Sequence, residues 1–109
     1  MDDPVLNQIE AGIKRVMADP VLKGELSGWK RTVSIKIDRD HYVIRVENDV
    51  ISVAREKARK FDVEVKLGKS TFMDIVTGKL PFTTAYLRGL LEVKGDVKAS
   101  DITRLQKLL

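Results

Sequence analysis

The sequence has no cysteine, a single histidine and only 6% aromatic residues among its 109 residues. The missing cysteines exclude disulfides, thiolate zinc sites and thiol catalysis, and they are typical of a protein from a reducing cytosol. One histidine also leaves little for metal binding or general base catalysis. No apolar run approaches the roughly 18 residues that a membrane-spanning helix needs. These absences predict a cytoplasmic, non-enzymatic protein that uses no cofactor.

The length and the N-terminal segment point the same way. Independent domains usually run to about 100–150 residues, so we expect a single domain over residues 1–109. The first twelve residues, MDDPVLNQIEAG, are acidic and lack the basic and then apolar segments of a secretion signal. An apolar fraction of 43% is ordinary for a globular protein.

Hydrophobic periodicity predicts an N-terminal helix followed by four strands. Apolar residues spaced by three and four positions predict an amphipathic helix over Asp3–Ala18, with Asp2 beside its start, and a short second helix over Val21–Leu26. From Trp29 the apolar spacing changes to two, which predicts strands. The strands carry Val33, Ile35 and Ile37, then Tyr42, Ile44 and Val46, and continue over Val50–Lys57 and Asp62–Leu67, with turns at 38–40 and 48–49.

The second half of the chain is predicted to hold three helices and a fifth strand. Hydroxyl residues suited to capping mark the helix starts, and Thr71 with Asp74 has the spacing of a capping box. Gly78 and Gly89 end the first two helices, and Leu90–Lys94 is the fifth strand. The predicted caps are Ser70 or Thr71, Thr83 or Thr84, and Ser100. This order predicts an α+β fold, a five-stranded, mostly antiparallel sheet covered on one face by helices.

Two motifs that look like ligand sites have simpler explanations. Gly68-Lys69-Ser70-Thr71 is similar to the end of a phosphate-binding loop, but Val63 stands where such a loop needs another glycine. His41 is interpreted as an exposed turn histidine, because no cysteine or second histidine accompanies it. Asp38 and Asp40 are assigned to the same turn, since the other ligands of a calcium loop are missing. We predict no catalytic and no metal-binding residue.

Positive charge is concentrated in the middle of the chain. The formal net charge is +4, and the densest basic run is REKARK at residues 55–60. We interpret this run as the solvated end of a strand, with a weak contact to anionic lipid headgroups or phosphates as the alternative. Nucleic acid is not an expected partner, because only Phe61 is available nearby to stack on a base.

Apolar stripes on the predicted helices of the second half are the remaining feature. By themselves they predict side chains packed on the sheet, and composition cannot show a cavity. The stripe residues are Phe72, Met73, Ile75, Val76, Leu80, Phe82, Ala85, Tyr86 and Leu87, followed by Ile102, Leu105, Leu108 and Leu109.

Four segments in this half resemble the sterol carrier protein type 2 (sterol-transfer) family. They are STFMDIVTGKL at 70–80, AYLRG at 85–89, LEVKGD at 91–96 and LQKLL at 105–109. The close likeness covers about residues 62–109, and the first half agrees in the order of its elements. The resemblance implies a sheet and helices that enclose an apolar tunnel for a fatty acid, acyl-CoA, phospholipid or sterol.

The resemblance also implies which side chains line that tunnel. We expect a lipid-binding role for Phe72, Met73, Val76, Phe82, Tyr86, Leu105 and Leu108. Tyr86 stands where the family usually has phenylalanine, so its hydroxyl needs a partner or a place at the tunnel mouth. The chain ends Lys-Leu-Leu, which is not the peroxisomal Ser-Lys-Leu.

The leading hypothesis is therefore a non-enzymatic protein that binds or transfers a lipid or fatty acyl ligand and touches membrane surfaces transiently. The alternative is a protein-interaction or dimerisation module of the same fold with a collapsed core, which would form a homodimer. A cavity too small for about 300 Å³ of ligand favours that alternative.

Overall fold

The computed structural model describes residues 3–109, so Asp2 lies outside the described residues. The helices and strands follow one another in the predicted order, and the α+β class is confirmed. Their bounds are α1 Pro4–Ala18, α2 Pro20–Leu26, β1 Arg31–Ile37, β2 Asp40–Glu47, β3 Val50–Ala54, β4 Val63–Leu67, α3 Lys69–Val76, α4 Phe82–Leu87, β5 Leu91–Gly95 and α5 Ala99–Leu108.

The five strands form one sheet in the order β3-β2-β1-β4-β5. The pairs β1–β2, β2–β3 and β4–β5 are antiparallel, whereas β1 and β4 are parallel. The predicted mostly antiparallel sheet is therefore confirmed, and its first three strands form a meander. At the turn between β2 and β3, Asn48 and Asp49 both have positive φ, 53° and 63°. That conformation suits a two-residue hairpin turn, as their side chains predict.

One face of the sheet carries the core, because alternate residues of each strand point toward the helices. Helix α1 adds an apolar stripe to it, and α3, α4 and α5 add the rest. The buried strand residues of this face are Val33, Ile35, Ile37, Tyr42, Ile44, Val46, Val63, Val65, Leu67 and Leu91, and those of α1 are Val5, Ile9, Ile13 and Val16.

The opposite face is crossed by the segment between β3 and β4. Because β1 and β2 lie between these two strands in the sheet, the chain must pass over them. Glu56 of the segment forms a 3.0 Å ion pair with Arg45, whose side chain alternates away from the core. Ser34 and Val43 also point to this face and are buried. The segment therefore covers part of the sheet, and we call residues 55–61 the basic crossover.

The path of the basic crossover explains why the predicted end of β3 is wrong. The strand stops at Ala54 instead of Lys57, because the chain leaves the sheet edge there to reach β4. Three hydrogen bonds hold the far end, two between backbone groups and one to the Asp62 side chain. The Asp62 amide donates to the Thr32 carbonyl at 2.8 Å, the Thr32 amide donates to the Asp62 carboxylate at 2.8 Å, and the Asp96 amide donates to the Asp62 carbonyl at 2.9 Å.

The predicted hydroxyl caps are wrong at all three C-terminal helices. The N-cap residues are Gly68, Pro81 and Lys98, with the predicted hydroxyl residues already inside the first turn of each helix. At α5 the Asp101 carboxylate satisfies the Lys98 amide at 3.0 Å instead. The glycine stops are confirmed, since Gly78 and Gly89 have φ of +81° and +73°, a region that glycine enters without steric cost.

Within residues 3–109, no helix combines the length and apolar character needed to cross a bilayer.

Candidate functional site

The seven predicted tunnel residues lie on α3, α4 and α5, which we call the helical cover. Phe72, Phe82, Leu105 and Leu108 are fully buried and belong to the same apolar cluster as the sheet residues. Met73 and Val76 are half-buried against that cluster. Tyr86 is 38% exposed, so six of the seven side chains meet in the core and the seventh lies at its edge.

Five surface cavities lie away from these seven side chains. One of about 550 Å³ is lined by the basic crossover and β1, and another of about 350 Å³ lies where β4 meets β5. None of five such cavities among residues 3–109 is lined by any of the seven predicted residues. The six buried or half-buried side chains pack in the core cluster, and the tunnel stays a prediction.

Helices α3 and α4 are attached to the rest of the molecule mainly by apolar packing. Phe72 and Ile75 of α3, and Phe82 and Ala85 of α4, are their buried residues. Among the described residues, one side-chain hydrogen bond links this pair of helices to another element, from the Thr83 hydroxyl to the Gln106 amide oxygen at 3.1 Å. Apolar contacts are non-directional, so they define the positions of α3 and α4 less strictly than hydrogen bonds would.

Helix α5 is attached differently, through a buried carboxylate. Asp101 is 1% exposed. Its Oδ1 accepts a 2.8 Å hydrogen bond from Trp29 Nε1 and forms a 3.4 Å ion pair with Arg31 Nε. Arg104 of the same helix lies over the Trp29 ring at 5.7 Å from the centroid. The start of α5 is thus held to the start of β1 by directional bonds.

This environment sets the protonation state of Asp101. Burial raises its pKa, but the Lys98 amide, the Trp29 indole and the Arg31 guanidinium lower it more, so the pKa lies below the ordinary value. Asp101 is therefore ionised at neutral pH. Sequence reasoning missed this network, and the available signal was weak: a tryptophan before a strand and an acidic residue in the first turn of a helix.

A second polar cluster lies at the start of α1. The Asp3 carboxylate caps the helix by accepting from the Val5 and Leu6 amides at 3.0 and 3.1 Å, and the buried Tyr42 hydroxyl donates to it at 2.9 Å. Arg55 donates to Asp3 at 3.1 Å and to Asp40 at 2.8 Å. Because each of these groups has a partner, the cluster is a structural tie between α1, β2 and the basic crossover.

The pKa values in this cluster follow from the same contacts. Burial and the hydrogen bond to Asp3 raise the pKa of Tyr42 to about 12. Burial raises the pKa of Asp3, but the Leu6 amide, the Tyr42 hydroxyl and Arg55 outweigh it, so this pKa is lowered overall. The neutral tyrosine and the ionised carboxylate are both stabilised by folding.

The two motifs that looked like ligand sites in the sequence, at Gly68 and His41, have structural roles. Residues Val63–Leu67 are a strand and α3 begins at Lys69, so Gly68 joins two regular elements and does not belong to a phosphate-binding loop. His41 is part of β2 and partly buried, which corrects the prediction of an exposed turn. Among the described residues, no three acidic or histidine side chains gather closely enough to hold a metal ion.

Exposed apolar side chains flank the helical cover where α4 ends. Leu87 is 80% exposed, Leu90 is 46% exposed and Tyr86 is 38% exposed. We call these three residues the apolar rim. The cavity of about 350 Å³ beside it is lined by Leu90 and by charged residues of both signs, which are Lys36, Asp38, Lys66 and Glu92. The apolar rim thus lies at the end of α4, beside the buried Phe82 and Ala85.

Solved structures of known proteins share the fold described above. The structure of sterol carrier protein domain 2 of Helicoverpa armigera superimposes with a TM-score of 0.75 at 17% identity, covering 97% of this chain and 91% of that one. Palmitated sterol carrier protein 2-like 2 from Aedes aegypti superimposes with a TM-score of 0.66 at 19% identity, covering 95% and 89%. The fold is therefore that of a sterol carrier domain.

The sequence profile of the SCP-2 sterol transfer family matches residues 6–109, and the chain belongs to this family. The resemblance seen in the second half of the sequence is confirmed and extends over the first half. The family indicates lipid binding or transfer as the general role of the domain.

Some proteins carry this fold as a small part of a longer chain. The stereoselective inverting sec-alkylsulfatase Pisa1 from Pseudomonas sp. superimposes with a TM-score of 0.65 at 23% identity, covering 80% of this chain. This chain spans only 14% of the length of that sulfatase. A comparison with curated protein sequences finds no match.

Proposed function

We propose that the chain is a non-enzymatic lipid carrier that holds an acyl chain between the core face of the sheet and the helical cover. The observation that carries the proposal is the attachment of α3 and α4. Their buried residues join the core through apolar packing, and within residues 3–109 one side-chain hydrogen bond, from Thr83 to Gln106, links them to α5. The Aedes aegypti relative, described as palmitated, supports an acyl ligand of this kind.

The energetics of uptake favour such an exchange. Each methylene transferred from water to an apolar site contributes about 0.8 kcal/mol, so a sixteen-carbon chain supplies on the order of 12 kcal/mol before association costs. The acyl chain would take over contacts that Phe72 and Phe82 now make with the core. Outward movement of α3 and α4 would make the space, and Gly68 and Gly89 border this pair of helices in the chain.

The apolar rim supports α4 as the side of uptake. Leu87 and Leu90 expose hydrocarbon to water next to the buried Phe82 and Ala85. An acyl chain arriving there can pass from one apolar contact to the next without being fully hydrated. Tyr86 at the rim keeps its hydroxyl close to solvent, which meets the requirement that its substitution for phenylalanine raises.

Uptake is tested with a fluorescent fatty acid and the variant L87D, since a charge at the rim makes passage of hydrocarbon costly. We expect at least a tenfold weaker affinity with an unchanged circular dichroism spectrum. V21D is the matched control, because Val21 is 70% exposed on α2 and far in sequence from the rim. Replacing Phe82 by a charged residue is not a usable test, because its burial predicts unfolding.

Native mass spectrometry of the purified protein gives the second measurement, with bound lipid as the expected finding. Absence of bound lipid together with no uptake of fatty acid at micromolar concentration would refute the carrier role. Equal affinities for L87D and V21D would remove the apolar rim from the uptake path.

Two observations favour a second candidate, a homodimerisation module: the same apolar rim, and the fact that none of the five cavities among residues 3–109 is lined by the predicted lipid-binding residues. A specific interface buries about 800 Å² per partner, and Leu87 and Leu90 would form its centre. Analytical ultracentrifugation separates the two functions. Self-association that L87D abolishes, in a protein that carries no lipid, favours the module, and a monomer favours the carrier.

A further inference from the structure

The basic crossover presents cations and an aromatic ring together on the face of the sheet opposite the core. Lys57, Arg59 and Lys60 are exposed, and none of them forms a salt bridge within residues 3–109. Phe61 follows them and is 40% exposed. Arg59, Lys60 and Phe61 line an open cavity of about 550 Å³ with Thr32 and Asp62.

The basic crossover is attached to the rest of the fold at both ends. Arg55 is bound to Asp3 and Asp40 at one end, and Glu56 is bound to Arg45. Ala58 in the middle is 8% exposed. At the other end Asp62 is bonded to the backbone of β1. Arg55 and Glu56 thus form ion pairs within the fold, whereas Lys57, Arg59 and Lys60 are exposed to solvent.

We propose that the basic crossover is a docking surface for an anionic lipid bilayer, with Lys57, Arg59 and Lys60 against the headgroup phosphates and Phe61 in the boundary between headgroups and acyl chains. The charge supports this occupant, because exposed lysine and arginine next to an anionic membrane each raise affinity about fivefold. The exposed phenylalanine supports it too, since aromatic side chains bury well at this boundary.

The position of the surface separates docking from lipid uptake. The basic crossover lies on the face of the sheet away from the helical cover, so a docked molecule keeps α3 and α4 free to exchange a ligand. The proposal does not depend on the carrier function. A variant of the basic crossover is expected to lose membrane binding and to keep its affinity for a fatty acid in solution.

The test is cosedimentation with vesicles of equal parts phosphatidylserine and phosphatidylcholine at low salt. For the triple variant K57Q/R59Q/K60Q we expect an affinity lower by about a hundredfold, from about fivefold per cation. The matched control is K14Q/K23Q/R39Q, which removes the same charges from exposed positions elsewhere and is expected to bind almost as the parent protein does. F61A is expected to weaken binding severalfold, with a loss that added salt does not diminish.

Three results would overturn the proposal. Equal losses in the two triple variants would mean that only net charge matters. Undiminished binding by K57Q/R59Q/K60Q would place the membrane contact on another surface. Tighter binding of a short RNA duplex than of the vesicles, lost in the same variant, would make nucleic acid the partner. Fatty-acid affinity measured in parallel shows whether lipid binding is intact in each case.

Discussion

Removal of the Asp101 carboxylate is the sharpest perturbation of the helical cover. In D101A the Trp29 indole and the Lys98 amide lose their acceptor, and Arg31 loses its ion pair. A buried donor without a partner costs about 1–3 kcal/mol, and breaking a buried ion pair from one side costs about 3–5 kcal/mol. Because the Arg31 side chain is 19% exposed, water relieves part of this cost. We expect the free energy of unfolding to fall by about 3 kcal/mol.

The conservative variant D101N separates the hydrogen bonds from the charge. It keeps the shape and an acceptor for Trp29, so we expect a loss of about 1–2 kcal/mol. Both values are measurable against the total of about 5–15 kcal/mol for a domain of this kind. Glu10 is exposed on α1, and E10A is the control for loss of one negative charge, with an effect within about 0.5 kcal/mol.

Urea unfolding is the assay, followed by circular dichroism and by tryptophan fluorescence. Trp29 is the single tryptophan and lies in the network itself, so its emission reports the start of α5 directly. A loss below about 1 kcal/mol in D101A would refute the reasoning. Equal losses in D101A and D101N would show that the charge, and not the set of hydrogen bonds, accounts for the stabilisation.

The pH dependence provides an independent check of the same network. The pKa of Asp101 is lower in the folded protein than its ordinary value, so the unfolded chain binds the proton more readily. The stability from Asp101 is therefore fully present above about pH 5 and lost as the pH falls through the folded pKa. The pKa of Asp3 is also lowered by folding, but Asp3 is present in both the parent protein and D101N. The parent protein should lose more stability in acid than D101N, and a constant difference between them would contradict this.

Further substitutions on α1, α2 and β2 test other parts of the fold. A Cβ at Gly12 would overlap the backbone oxygen of Leu108, so G12A is expected to lower stability by about 1–3 kcal/mol despite the better helix propensity of alanine. In G24A nothing lies within 4 Å of the added Cβ, so a gain in stability of up to about 1 kcal/mol is expected. If thermal unfolding shows that G12A and G24A change the stability in the same direction, the result would count against the close packing of α1 on α5. Burial and Asp3 raise the pKa of Tyr42 to about 12, so its contribution is present below about pH 10 and is lost, on the order of 2–3 kcal/mol, as the pH rises through the folded value. Y42F should flatten that alkaline loss. In Y86F, where Tyr42 is the single tyrosine, tyrosinate absorbance of the folded protein near pH 10 would show the shift to be absent.

The regular elements could be predicted because their signals are local. The alternation of Val33, Ile35 and Ile37 with polar residues predicts one buried face of a strand, and the structure buries all three. The positive φ of Asn48 and Asp49 and the glycine stops follow equally from neighbouring residues. The membership in the sterol transfer family was also visible in four short segments of the second half.

The predictions of helix caps are wrong where neighbouring residues can each satisfy the same backbone amide. A hydroxyl residue near a helix start predicts a cap, yet Ser100 lies one residue inside α5 while Asp101 serves the Lys98 amide. The choice between these neighbours depends on Trp29, which is 72 residues away in the sequence and bonds the same carboxylate. No periodicity reports such a pair.

The location of the predicted lipid-binding residues was partly visible in the sequence. The helical spacing of Phe72, Phe82, Leu105 and Leu108 predicts burial, and these side chains are buried together. Periodicity could not distinguish a tunnel wall from a packed core, because both are apolar. The exposure of Tyr86 and Leu87 depends on how α4 lies against β5, which sequence spacing alone does not define.

The amino-acid sequence by itself determined the helices, the strands, the buried side of each and the family. It did so because backbone preference and amphipathic spacing depend on residues within a turn or two of one another. Only the tertiary structure decided that β4 lies beside β1, that residues 55–61 therefore cross the outer face of the sheet, and that Asp101 is the carboxylate buried against Trp29. These features join residues distant in the chain, and their free energy exists only after the sheet has brought them together.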